Sequence, residues 1–375
     1  MMKEKMRIVI KAGSSTLAFP QGGCDLRKMS RLVNAISKLK ADGHEIVFVS
    51  SGAVASGYKL LGYQQRPRTL VAKQAAAAIG QSVLMQTYST LFAEHNLTIA
   101  QILLTRSDFS DRERYHHAFQ TLSLLLAKNI IPVINENDTV SVAELTFGDN
   151  DMLGALVAGL VHADFYIILT DTNGLYDKDP RKHPDAKRIS SLPAITEEIE
   201  QLAGGASRLG TGGMRSKLLA AKTALALGVP SFIGQMESDD DLRHIVHGAG
   251  NGTYIGFSRE NRQPGFLPKN KQWIALHSPV HGRISVDDGA AEALLAKQRS
   301  LLAAGIKEVA GSFAAGDVIE VYHNDRLIGR GVSRLAASDL GALLASAAAD
   351  GKRGSTVIHR DQWIPALAVA AVNHA

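Results

Sequence analysis

Along its first 234 residues the chain alternates short apolar runs, rich in Ile and Val, with longer stretches whose apolar residues recur at helical spacing. The runs RIVIKAG (7–13), EIVFVSSGA (45–53), TIAQILL (98–104), IIPVIN (130–135), FYIILTD (165–171) and PSFIG (230–234) read as strands. Most are apolar nearly throughout rather than at every second position, the pattern of strands covered on both faces. Residues 25–42, 69–94, 111–128, 151–162 and 213–228 read as helices between them. In the first, Leu26, Met29, Leu32, Val33, Ile36 and Leu39 fall at helical spacing, with Asp25 placed as N-cap and Gly43 as the stop. Such alternation predicts an α/β fold, a mainly parallel sheet sandwiched by helices.

The pattern breaks near residue 258. SRENRQPGFLPKNKQ (258–272) is polar, holds two prolines and has no period, which marks a linker. The expected division is residues 1–257, a linker at 258–272, and a second unit at 273–375. That second unit is smaller and β-rich, with one helix at about 288–297, strand-like DVIEVYH (317–323) and RLIGRGVS (326–333), and an apolar end, WIPALAVAAVNHA, read as strand or helix. A length of 375 residues suits two domains that each bury a core. The single cysteine, Cys24, excludes an internal disulfide framework. The N-terminal MMKEKMRIVIKAG lacks a long apolar core followed by a small-residue cleavage site, and no run of about 18 apolar residues occurs. The expectation is a cytoplasmic protein with no membrane partner.

In sheets of this kind ligands bind at the carboxyl ends of strands. The loops there offer Lys11, Gly13, Ser14 and Ser15, then Ser50, Ser51 and Gly52. NENDTV supplies Asn135, Asn137 and Asp138, and FGDND supplies Asp149, Asn150 and Asp151. Thr170, Asp171 and Asn173 follow, and RLGTGGMRSKLLAAK (208–222) adds Thr211, Gly212, Gly213 and Lys217. Each has an ordinary structural reading: a Gly-Gly pair caps or hinges a helix, a helix lysine is solvated, an Asn-rich loop is a turn. Their coincidence along one edge of the sheet favours a site.

Several chemistries drop out. No G-x-x-x-x-G-K-[ST] occurs, no G-x-G-x-x-G follows the first strand, and the SSGA serine has no nucleophile-elbow frame. His116 and His117 are adjacent, so they point to different helix faces and make poor joint ligands. Phosphoryl transfer without a P-loop remains. Backbone N–H groups at the TGGM turn can hold a nucleoside triphosphate, and Lys11 and Lys217 can neutralise the transferred phosphoryl group. Asp151 can pair with one or both lysines. Magnesium bound mostly by phosphate oxygens needs few protein ligands, so no metal-ligand set from the chain is expected.

The set IKAGSS, VSSGAVASG, INENDTV, FGDND, LTDTNGLYDKDP and GTGGMRSKLLAA is similar to the amino acid kinase family over about residues 6–257. NENDTV followed by FGDND points to its glutamate 5-kinase branch. Residues of about 273–350, through AGSFAAGDVIEV and RLIGRGVSRL, resemble a PUA domain. The resemblance implies ATP-dependent phosphorylation of the γ-carboxylate of L-glutamate to L-glutamyl 5-phosphate, the first step of proline biosynthesis, with feedback inhibition by proline. It implies ATP as co-substrate with Mg2+, a homo-oligomer (dimer or tetramer), and the next enzyme of proline synthesis as a partner.

Matching motifs assigns the roles. Lys11 and Lys217 would stabilise the transferring phosphoryl group, with Asp151 organising them. Ser51, Gly52, Asn135, Asp138 and Asn150 would hold glutamate, Asp138 taking its ammonium. Lys11, Gly13, Thr170, Asp171 and the segment Thr211, Gly212, Gly213, Met214, Arg215, Ser216 and Lys217 would line the ATP site. Ala12 and Ser216 depart conservatively from residues frequent in the family. An acetylglutamate kinase is the nearest alternative, disfavoured by the NENDTV and FGDND loop. RNA binding through the PUA-like unit is the alternative from another class. From residue 273 onward 10 Lys and Arg face 10 Asp and Glu, a balance that gives little attraction to phosphate, so nucleic acid is not an expected partner.

Overall fold

Ile8, Val9 and Ile10 have no solvent exposure, and neither do Ile46, Val47 and Phe48 or Phe165, Tyr166, Ile167 and Ile168. These runs are strands covered on both faces. The computed structural model of the chain describes residues 5–19, 21–141, 150–178, 180, 183–204, 213–257, 280–297, 299–345 and 354–365. The chain divides into two units, Met1–Asp108 with Arg114–Gly265, and Phe109–Glu113 with Phe266–Ala375.

Over residues 5–257 the elements are β1 (Arg7–Ala12), α1 (Ser14–Leu17), α2 (Leu26–Ala41), β2 (Glu45–Val49), α3 (Ala53–Gly57), α4 (Leu70–Ala93), β3 (Ile99–Leu104), α5 (Arg106–Ser110), α6 (Arg112–Ala127) and β4 (Ile131–Glu136). They continue with α7 (Asn150–Leu160), β5 (Phe165–Leu169), β6 (Leu175–Tyr176), β7 (Arg188–Ile189), β8 (Ser191–Leu192), α8 (Glu197–Gly204), α9 (Met214–Ala226), β9 (Ser231–Gly234), α10 (Asp241–Val246) and β10 (Gly252–Ile255). Eight strands form one sheet in the order β3-β4-β2-β1-β5-β9-β10-β8. From β3 across to β9 every neighbouring pair is parallel. β10 then runs antiparallel to β9 and pairs in parallel with β8. The alternating series predicted from sequence is therefore present, and the sheet extends beyond PSFIG by two short strands that the pattern did not announce.

β1 lies between β2 and β5. The chain builds outward from β1 through β2, and with β5 it returns to the other side of β1. That reversal opens a crevice at the carboxyl ends of β1 and β5, where a doubly wound sheet binds its ligand. The supporting layer is conventional. Asp25 caps α2 by accepting from the backbone N–H groups of Arg27 and Lys28, and Gly43 ends the helix with φ +92°. Met29, Leu32, Val33, Ile36 and Leu39 are buried against the sheet, whereas Leu26, in the first turn, is exposed.

The second unit holds β11 (Val280–Val286), α11 (Asp288–Leu295), β12 (Leu301–Leu302), β13 (Ile306–Gly311), β14 (Val318–His323), β15 (Arg326–Ser333), α12 (Ala337–Ala345) and β16 (Thr356–Pro365). Its six strands form a sheet in the order β12-β16-β15-β14-β11-β13. Asn324 and Asp325, at φ +47° and +58°, make the two-residue turn that joins β14 to β15. Ile284, Val321, Ile358 and Leu340 form part of its core. The predicted C-terminal apolar element is strand as far as Pro365, and the predicted linker at 258–272 lies outside the described residues.

Candidate active site

The first two residues of α7 carry the centre of the site. Asp151 is fully buried, and its carboxylate draws in two lysines from distant parts of the chain. Lys11, near the end of β1, pairs with Oδ1. Lys217, in the first turns of α9, places Nζ 2.9 Å from Oδ2. Both lysines are buried, at 3% and 8% exposure, which removes the solvated-surface reading of Lys217. Two ammonium groups on one carboxylate give the trio an excess of positive charge at the crevice. The phenol of Tyr166, on β5, donates to the backbone carbonyl of Asp151 at 2.7 Å and holds the start of α7 against the sheet.

Asn150 extends this arrangement sideways. Its Nδ2 donates to the carbonyl of Ser50 (2.6 Å) and to Oδ1 of Asn135 (2.7 Å). Asn135 in turn donates to Oε1 of Gln81 at 2.8 Å, and Gln81 donates to Gln101 at 3.2 Å. The Ser50 hydroxyl lies 2.9 Å from the phenol of Tyr88. Burial raises the pKa of that phenol well above its usual value, so Tyr88 stays neutral. Gly52 caps α3 at φ +99°, a backbone state that favours glycine.

A cavity of about 360 Å³ opens beside Asn150. The five residues predicted as substrate-binding, Ser51, Gly52, Asn135, Asp138 and Asn150, all line it. Arg66, Arg68 and Lys73 line it as well. Burial pushes the carboxyl of Asp138 up to about 6, against an opposing pull from Arg66.

The predicted nucleotide residues are placed as follows. Thr170, at the end of β5, is buried and donates to Asp171 at 3.1 Å, while its backbone N–H bonds to Gly234. These bonds run along the sheet edge rather than to the lysine–aspartate trio. Gly213 caps α9, and the Ser216 hydroxyl donates back to its carbonyl at 2.8 Å. Met214 and Arg215 occupy the same first turn. Gly13 caps α1, where an added Cβ would lie 3.5 Å from Lys11 Nζ. Thr211, Gly212 and Asp149 lie outside the described residues.

Gln81, Gln101, Tyr88, Tyr166 and Arg66 were not singled out from the sequence. For two of them a signal exists: Gln81 and Tyr88 are seven residues apart on α4 and so share a face, in a helix whose other buried residues are Ala72, Ala76, Ala77, Gly80, Leu84 and Phe92. Among the described residues no group of three or more His, Cys, Asp or Glu side chains is placed to hold a metal ion, and no helix is long and apolar enough to cross a membrane.

Comparison with known proteins bears directly on this geometry. The sequence profile of the amino acid kinase family matches residues 6–235, and that of the PUA domain matches residues 282–353. The chain is 52% identical to glutamate 5-kinase 1 of Bacillus licheniformis over 96% of its own length and 99% of the relative's. It is 50% identical to glutamate 5-kinase of Bacillus cereus strain B4264, over 96% of this chain and 99% of that one. With glutamate 5-kinase of Geobacillus kaustophilus it shares 50% identity over 96% and 97% of the two chains.

Proposed function

The chain belongs to the amino acid kinase family, and from that premise we propose that it transfers the γ-phosphoryl group of ATP to the γ-carboxylate of L-glutamate. The bond from Pγ to the β–γ bridging oxygen breaks, a bond from a carboxylate oxygen to Pγ forms, and ADP leaves. The observation that carries the reading is Asp151 buried between Lys11 and Lys217, beside a cavity lined by the residues assigned to a small amino acid.

The chemistry asks little of the chain in proton transfer. A side-chain carboxylate with a pKa of about 4.3 is already ionised at neutral pH, so it attacks without a general base. The difficulty is bringing two anions together and holding the charge that spreads over the phosphoryl oxygens. Lys11 and Lys217 supply that charge from a buried position, where it is screened least by water. Asp151 fixes both ammonium groups in place. Asn150 and Asn135 orient the acceptor, and the Ser51–Gly52 turn offers backbone N–H groups. Asp138 takes the substrate ammonium. Because Asp151 is taken up by two lysines, the residues present fit a magnesium ion carried on the triphosphate better than one caged by the chain. When bound, that ion screens the triphosphate charge.

Under this reading Thr170, Asp171 and the segment Thr211 to Lys217 line the ATP site, with Gly13. The kinase part ends near residue 257, and residues 273–375 serve a regulatory or assembly role. Feedback inhibition by proline, a homo-oligomeric state and a cytoplasmic setting, where ATP and glutamate are available, complete the proposal. The test is ADP release by the purified chain with ATP and magnesium. Release should require glutamate and fall as proline is titrated in. Release that is indifferent to glutamate would remove the assignment.

A further inference from the structure

The cavity beside Asn150 carries more positive charge than the proposed reaction accounts for. Lys11 and Lys217 are turned onto Asp151, at the reacting end. Arg66, Arg68 and Lys73 line the cavity separately, and all three come from the segment that leads into and begins α4. None of them takes part in holding the trio or the Asn150 network described above.

An α-amino acid presents its ammonium and its α-carboxylate on one carbon. A site for that head must therefore set an anion and a cation side by side. Resting on the glutamate reading, we infer that Arg66 receives the α-carboxylate of the substrate, opposite Asp138, and thereby selects acceptors with an unmodified α-carboxylate. Arg66 shares the cavity with Arg68 and Lys73, and two further observations single it out. Arg66 and Asp138 line the same cavity of about 360 Å³, together with Ser51 and Asn150. The guanidinium of Arg66 pulls the Asp138 carboxyl toward its ionised form within that cavity. Arg66 also precedes Pro67, which is buried in the cavity wall. A residue before proline is restricted to extended backbone, so the loop presents Arg66 from a stiffened stem. A planar guanidinium can bind a carboxylate through two parallel hydrogen bonds, which a lysine in the same place cannot do.

Each charged group of the substrate then meets an opposite charge. The γ-carboxylate meets the phosphoryl group under Lys11 and Lys217, the ammonium meets Asp138, and the α-carboxylate meets Arg66. Arg66 is exposed, so replacing it leaves the core intact.

The experiment compares the wild-type chain, Arg66→Gln and Arg68→Gln in steady-state ADP release, using glutamate and the α-amide of glutamate, whose γ-carboxylate and ammonium are unchanged. The wild type should prefer glutamate to the α-amide. Arg66→Gln should raise KM for glutamate by about 10- to 100-fold, the loss of one charge-assisted contact, with kcat within about threefold. The preference for glutamate over the α-amide should collapse in that variant, and KM for ATP should hold. Arg68→Gln should keep the preference. An unchanged KM for glutamate in Arg66→Gln would overturn the inference. So would a rise of equal size for both acceptors, the mark of a merely structural role, or a collapse seen in Arg68→Gln instead. A wild-type chain that releases no ADP with glutamate strikes the parent reading and this inference with it; an active wild type with an unaffected Arg66→Gln strikes this inference alone.

Discussion

Lys217 stands on a helix, yet its ammonium is buried 2.9 Å from Asp151. A buried cation needs a partner or it loses its charge. Asp151 supplies the partner and also receives Lys11, so removing either lysine leaves the other in place. Lys217→Ala should therefore leave the chain folded and cut turnover by about two to three orders of magnitude, the loss of one group from a transition-state clamp. KM for glutamate should change little. Near-normal turnover would return Lys217 to the role of a structural ion-pair partner. Asp138 makes a different prediction. Burial lifts its carboxyl to about 6, above its ordinary 3.8. The raised value means that the folded chain prefers Asp138 neutral: the stabilisation this gives is complete below the ordinary value and is lost as pH rises through about 6. Binding an ammonium runs the other way, because it needs the ionised form. Hence kcat/KM for glutamate should fall with a one-proton slope as pH drops through about 6, and Asp138→Asn should raise KM and abolish that limb. A limb that survives in Asp138→Asn belongs to another group.

At the scale of elements, α4 is what keeps the crevice in shape. Gln81 and Tyr88 hook Asn135 and Ser50 from one face of the helix. On the same helix Gly80 meets α3 backbone to backbone: a Cβ there would lie 1.8 Å from the carbonyl oxygen of Ala53, and one at Gly57 would lie 1.9 Å from that of Ala76. No side chain can yield at these contacts, so the helices must separate. Gly80→Ala should cost about 1–3 kcal/mol of stability and, by moving α3, lower kcat/KM for glutamate as well. A thermal melt at the wild-type temperature would show that the two helices can part freely. These contacts also mark the limit of what was legible beforehand. The strands of the parallel sheet and the long helices were readable because buried strands and amphipathic helices impose a period, as in α2 with its Asp25 cap. α3 has five residues, too few to show a period, and Gly80 looks like any helix glycine until the partner helix is in place. The antiparallel β10 and the two-residue β8 were missed for the same reason.

For the whole molecule, the candidate site residues were legible where chemistry and position coincide near the carboxyl ends of strands, as with Lys11 on β1 and Asn135 on β4. Their supports were not, since Gln81, Tyr88 and Tyr166 act through contacts between residues 54, 38 and 15 positions apart that no local pattern encodes, and Tyr166 does so through a backbone carbonyl. Every described residue given a role in the reaction precedes residue 258, and the PUA profile matches only residues 282–353. A chain ending at Phe257 should accordingly fold and retain ADP release with glutamate, with its response to proline, its magnesium requirement or its assembly altered. A folded but inactive fragment, by circular dichroism and activity, would mean that the second unit contributes to the site. Trapping the product tests phosphoryl transfer to a carboxylate by the lysine–aspartate clamp. With ATP, magnesium and hydroxylamine, an acyl phosphate is captured as a hydroxamate. Hydroxamate should form in step with ADP when glutamate is the acceptor, form little with acetylglutamate, aspartate or uridine monophosphate, and be lost in Lys217→Ala. ADP without hydroxamate, or hydroxamate formed best from acetylglutamate, would contradict this assignment.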